Sequence, residues 1–199
     1  MTEKQQQAQQ LKENELMERG FSIEFVTMDH DQPPHSHRMM EIVYILNGHA
    51  QVHMEGMKYR LKPLDFIVID ASRMHEVVFG FPQTMGICIQ ISKISLRRYV
   101  PDIDVLSVFG YSRELSKKQE KAAQRLCEYM RDLTILYMTP GKSYELRSSA
   151  LVLSIIAELV DHFSCSEMNE TAQINYQKSV RVEQICTYVD SRRELYQPL

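Results

Sequence analysis

Cysteine is scarce and scattered. The chain has four, Cys88, Cys127, Cys165 and Cys186, and no two form a C-x-x-C pair. That spacing argues against a disulfide framework or a structural zinc knuckle and fits a reducing cytoplasm. Charge of one sign is also lacking, since the formal net charge is only -3. Up to Gly110 there are 11 Lys and Arg against 14 Asp and Glu, and after it 12 against 12. Neither half carries the basic excess that phosphate binding needs, so this chain is not expected to grip nucleic acid by itself. The most apolar run, residues 150–160, is too short to span a bilayer and contains Glu158. The polar, Gln-rich start has no apolar core of a signal peptide. No G-x-G-x-x-G, G-x-x-x-x-G-K-S/T or G-x-S-x-G pattern occurs, which disfavours nucleotide binding and a serine-hydrolase elbow.

What is there suffices for a buried core. The chain has 199 residues, 44% of them hydrophobic and 25% charged, which excludes wholesale disorder. Residues 1–19 are polar and read as an arm or short helix. Residues 20–110 read as a β domain that holds six of the seven glycines. Phe21, Ile23 and Phe25 alternate with Ser22 and Glu24, the period of a half-buried strand. The run from Glu41 to Leu46 ends in Asn47-Gly48, a strong hairpin signal, and Ala50 to Glu55 alternates again before a turn at Glu55-Gly56. Further short strands are expected at Phe66–Ile69, Val77–Phe79 and Ile87–Ile91, separated by Gly80, Pro82 and Gly86. Many short strands with regular turns suggest a sandwich or barrel.

The pattern then becomes helical. Leu126, Met130, Leu133 and Tyr137 recur at helical spacing, Pro140-Gly141 breaks it, and a second helix is expected from about Ser143 to Phe163. That helix is apolar on two faces, so it is expected to pack on the barrel with one and on a partner subunit with the other. Residues 111–168 are thus read as a helical dimerisation region. Residues 169–199 are read as a linker and a third helical pattern around Val182, Ile185 and Val189. The end at Gln197-Pro198-Leu199 reads as a helix exit, and the expectation is of a chain that continues further.

Six of the seven histidines fall between His30 and His75. His35, His37 and Glu41 are all odd-numbered, so one extended strand would aim all three at one face together with Met39, Val43 and Ile45. His75 would complete the set from a strand packed opposite. Such a group can bind a divalent metal, hydrogen-bond a polyol or an acid without metal, or serve structure alone. Met28, Met39, Met54 and Met74 could supply an adaptable pocket lining or simply fill core gaps. His30, His49, His53 and His162 read as surface or packing residues.

His35-Ser36-His37, then Glu41, then six residues to Gly48, resembles the first conserved motif of the cupin superfamily. Pro63-Leu64-Asp65, the run Phe66–Ile69 and then His75 resemble the second, with Leu64 where that family often has glycine. The resemblance implies a fold that is mainly β plus α: a double-stranded β-helix, or jelly-roll barrel, followed by two to three helices. The order of arm, barrel, amphipathic helices and then Val182–Asp190 leading to Leu195–Leu199 is similar to an AraC-type transcriptional regulator. In that family the last segment opens a DNA-binding domain with two helix-turn-helix elements, which are absent here. The resemblance implies the effector-sensing and dimerisation part of a cytoplasmic bacterial regulator and not an enzyme. A small polar effector, such as a sugar, would contact His35, His37, Glu41 and His75. Its partners would be that effector and a second copy of the chain, with DNA reached only through the absent domain, and no membrane. The competing reading is a metal-dependent cupin enzyme, a dioxygenase or isomerase, with the same four residues as ligands. A third is a barrel that only dimerises.

Overall fold

A computed structural model describes residues 19–28 and 31–166. The expected arm before Arg19, the third helical pattern, His30 and Cys186 lie outside the described residues, as does the side chain of Met28.

Nine strands and three α-helices are described. The strands are β1 (Phe21–Met28), β2 (Gln32–His35), β3 (Met40–Met54), β4 (Met57–Leu61), β5 (Phe66–Ile69), β6 (His75–Ile91), β7 (Leu106–Val108), β8 (Gly110–Tyr111) and β9 (Ser164–Ser166). The helices are α1 (Lys93–Leu96), α2 (Glu120–Met138) and α3 (Tyr144–His162). Seven strands form one antiparallel sheet in the order β1-β6-β3-β5-β8, with β2 paired to β6 and β4 to β3. The other two, β7 and β9, pair with each other.

The long strands β3 and β6 run beside each other from Met40↔Ile91 to Met54↔His75. Asn47-Gly48 is therefore not a hairpin turn. It is an irregularity within β3, with register shifts between Ile45, Asn47 and His49. Gly48 takes φ +78 there, and a Cβ would come within 2.7 Å of the Thr84 backbone, so the bend needs a glycine. The shift changes which parity points inward. Val43 and Ile45 before it, and Ala50, Val52 and Met54 after it, join one buried cluster with Ile67, Ile69, Val77 and Phe79. That cluster is the barrel interior. The expected break at Gly80, Pro82 and Gly86 is also absent, because β6 continues through all three. The Glu55-Gly56 turn is where expected, with both residues at positive φ between Met54 and its partner Met57.

The opposite face of the sheet is covered by the helices. Met40, Ile42, Tyr44, Ile87, Ile89 and Ile91 pack in one cluster with Leu126, Met130 and Leu133 of α2 and Val152, Ile155 and Leu159 of α3. The expected helical periodicity supplies these contacts, with Tyr137 the exception: it is 39% exposed and stacks on Phe25 at 5.1 Å between ring centres. Among the described residues no helix is long and apolar enough to cross a membrane.

Candidate metal centre

The three histidines reach one point from three local settings. His35 ends β2, and its Cα pairs with His75 at the start of β6. His37 sits in the bend between β2 and β3, so the run from His35 to Glu41 is not the single extended strand that its parity suggested. The side chains still converge. The His35 and His75 ring centres are 4.3 Å apart, and those of His37 and His75 are 5.3 Å apart. Their ligand nitrogens all lie within 4.8 Å of one another.

Each ring is oriented by a carbonyl two residues away. Nδ1 of His35 donates to Pro33 O at 2.8 Å, that of His75 to Arg73 O at 2.9 Å, and that of His37 to Met39 O at 3.0 Å. A carbonyl only accepts, so Nδ1 carries the proton and a neutral ring then offers its lone pair at Nε2. Metal-binding histidines are commonly fixed in this way. His75 is 2% exposed, and its Nε2 is buried with no hydrogen-bond partner among the described residues. A buried acceptor left unmade is costly, and a metal ion would satisfy it. The donor set fits a borderline divalent metal such as zinc, iron, nickel or copper.

Glu41 stands beside the triad. Its Oε2 accepts from His37 Nε2 at 2.8 Å and from Gln90 Nε2 at 2.9 Å. Burial by itself would raise the Glu41 pKa. The hydrogen bonds from His37 and Gln90, with the charges of His37 and His75, outweigh it and hold the group at about 2. His75 moves down, mainly because burial disfavours its charged form. His37 Nε2 is engaged by this carboxylate, so a metal held there would displace that hydrogen bond.

A cavity of about 380 Å³ opens beside these groups, large enough for a small molecule. Its lining includes His35, His37, Glu41, Gln90 and Glu24 against an apolar wall of Val26, Val43, Val77 and Phe79. Gln90 was not singled out in the sequence. Its signal is parity: Cys88 and Gln90 interrupt an otherwise isoleucine-rich strand at alternate positions, and both line the cavity. Of the methionines considered for the lining, Met54 is buried in the barrel cluster and Met74 is 58% exposed. Neither lines this cavity. His53 bonds to its cross-strand partner Glu76, and both side chains are partly exposed.

Residues 24–85 match the cupin domain family. Similar solved structures include a cupin-2 domain containing protein from Shewanella frigidimarina (15% identity, 36% of this chain and 71% of that one, TM-score 0.34). KdgF from Halomonas sp. is 29% identical over 37% of this chain and 70% of its own, with a TM-score of 0.35. The DMSP lyase DddQ from Ruegeria pomeroyi is 26% identical over 37% of this chain but only 39% of its own, with a TM-score of 0.35. A search of curated protein sequences returned no match. The fold is thus a cupin-type barrel followed by helices, as the motifs implied. The expectation that the chain is not an enzyme is corrected, since its structural neighbours include a protein named as a lyase.

Proposed function

We propose that this chain is a metal-dependent cupin enzyme that holds a divalent metal on His35, His37 and His75 and acts on a small polar molecule in the adjoining cavity. The observation that supports this most is the buried, unpartnered Nε2 of His75, which shares one point with the ligand nitrogens of His35 and His37. When bound, the metal would polarise an oxygen of that molecule. The chain's own groups would do the rest. The carbonyl bonds to Nδ1 hold the His35 and His75 rings in place. Glu41, kept ionised, offers a carboxylate that can hold a proton at the edge of the cavity. Val26, Val43, Val77 and Phe79 exclude water from the opposite side. The reaction classes that suit this donor set are isomerisation and dioxygenation. The experiment is metal analysis and turnover on the same preparations. His37→Ala and Glu41→Ala are expected to lose activity, and His37→Ala to lose metal with it. Metal-free protein that retains turnover would overturn the reading.

A second reading rests on the helices. Ile135, Met138 and Leu146 are 57%, 66% and 74% exposed on the outer side of the α2–α3 pair. A groove of about 660 Å³ there is lined by Ile135, Leu136, Ala150 and Leu151, with Asp132 and Arg147 of opposite charge beside them. A second copy placed by a two-fold axis would cover this surface and could pair those charges. In this reading residues 20–110 are a sensor barrel and 111–168 a dimerisation region. Together they form the effector-sensing part of an AraC-type regulator that relays binding to a separate DNA-binding domain. Light scattering tests the dimer. Leu146→Glu is expected to yield monomers, and an unchanged dimer would remove this surface from consideration.

A further inference from the structure

Gln90 lies at the centre of a polar row across the barrel. Its Cα pairs with Ser22 of β1 on one side and with Glu41 of β3 on the other. By strand alternation Ser22 shares the face of β1 that carries Glu24 and Val26, which line the cavity, while Ser22 itself is buried outside that lining. Ser22 is 2% exposed, and its Oγ is buried with no hydrogen-bond partner among the described residues. The neighbouring groups have capacity to spare. Glu41 takes the bonds from His37 and Gln90 on Oε2, which leaves Oε1 as an acceptor. Gln90 spends one Nε2 hydrogen on that bond, which leaves its amide oxygen and the second hydrogen. The row therefore presents two oxygens that can only accept, one amide hydrogen and one hydroxyl that can do either. Burying a hydroxyl without a partner is unfavourable, and an alanine would avoid the cost. The described lining of the cavity contains no lysine or arginine to pair with a carboxylate or phosphate.

We propose that Ser22, Gln90 and Glu41 form a ligand subsite beside the histidine triad that receives a hydrogen-bond donor, a hydroxyl or an ammonium, of a small molecule whose other end coordinates the metal. The subsite rests on the metal-centre reading, because the triad fixes the far end of that molecule. It makes Gln90 and Ser22 specificity-determining residues. Both lie in β strands that the apolar core holds rigid. With Oε1 of Glu41 and the amide oxygen of Gln90 able only to accept, the subsite favours a ligand group that donates over one that cannot.

The test uses the full chain loaded with zinc and three hydroxamates that differ in one group: glycine hydroxamate with an ammonium, glycolohydroxamate with a hydroxyl, and propionohydroxamate with a methyl. Each chelates the metal through the same two oxygens. Calorimetry is expected to show at least one donor-bearing probe binding about tenfold tighter than the methyl probe. The tighter of the two identifies the donor class. In Gln90→Leu the preference is expected to fall to within about twofold, and in Ser22→Ala to shrink. Ser22→Ala removes a hydroxyl that bonds to no described residue, so it is expected to fold, and zinc alone should bind it as it binds the original chain. Equal binding of all three probes, or a preference that survives both substitutions, would overturn the subsite while leaving the metal centre standing. Failure of zinc alone to bind would remove the metal centre and the subsite together.

Discussion

The two faces of the β3–β6 pair have the same backbone and opposite tasks. Ile42, Tyr44, Ile87 and Ile89 point outward into the helices and make a dry, continuous core. Glu41, Cys88 and Gln90, one residue away along the same strands, point inward at the cavity. The outer face is packed with buried apolar side chains. On the inner face His75 Nε2 and Ser22 Oγ are buried with no hydrogen-bond partner among the described residues. Stability and chemistry are thus separated by strand parity. Lost volume on the outer face should cost stability without touching the histidine group.

The sharpest contrast is expected from Leu159→Ala on α3. Leu159 is 0% exposed in the outer cluster, and its truncation should cost about 2–5 kcal/mol. Urea denaturation would measure this, and metal affinity measured well below the transition should not change. A loss of metal affinity at full folding would break the separation of faces.

Acid is expected to act through the inner face. The ordinary Glu41 value of 4.5 is brought down to about 2 in the fold, because the His37 and Gln90 bonds outweigh burial. A depressed carboxyl contributes stability that is present above about pH 4.5 and lost as pH falls towards 2. That contribution is on the order of 3 kcal/mol. His75, lowered from 6.5 chiefly by burial, acts in the same direction, since below pH 6.5 the unfolded chain takes up its proton first. Denaturation of metal-free protein at a series of pH values should show both losses. In Glu41→Gln the slope between pH 4.5 and 2 should flatten, and an unchanged slope would count against the bonded carboxylate.

Two smaller effects refine the comparison. Ser22→Ala is expected to stabilise the metal-free chain by up to about 1 kcal/mol, because no bond is lost with the hydroxyl. Destabilisation on thermal melting would show that the serine has a partner. Leu64→Gly lies outside both faces. Leu64 holds φ 71 in the turn before β5, where a left-handed conformation is strained for any residue with a Cβ. Glycine there should gain roughly 1 kcal/mol, read as a rise in Tm.

The motifs implied the barrel, and the structure brings His35, His37 and His75 to one point, though not from the single strand that parity suggested. Turns were harder to read. Asn47-Gly48 carries a hairpin's residues but serves a bend within β3, and only the pairing with β6 on both sides of it distinguishes the two. Leu64 shows the converse: the turn forms without its usual glycine, held by Leu64 N to Ile45 O at 2.7 Å and Lys62 N to Asp65 Oδ2 at 2.8 Å. The polar residues of β1 were misleading for another reason. Alternation in Ser22 and Glu24 marks a strand with one polar side, yet that side faces the cavity. Alternation reports polarity and not which side is wet. Nothing local marks Gln90 as the partner of Glu41, since the two are 49 residues apart and meet only through sheet register.

The most direct test of the central claim is the metal content of tag-free protein purified without chelator, compared with His75→Ala prepared in the same way. One tightly bound transition metal per chain in the original protein, absent from the variant while its fold persists, is the predicted result. A folded original chain that takes up no zinc, iron, nickel or copper at any concentration would contradict it.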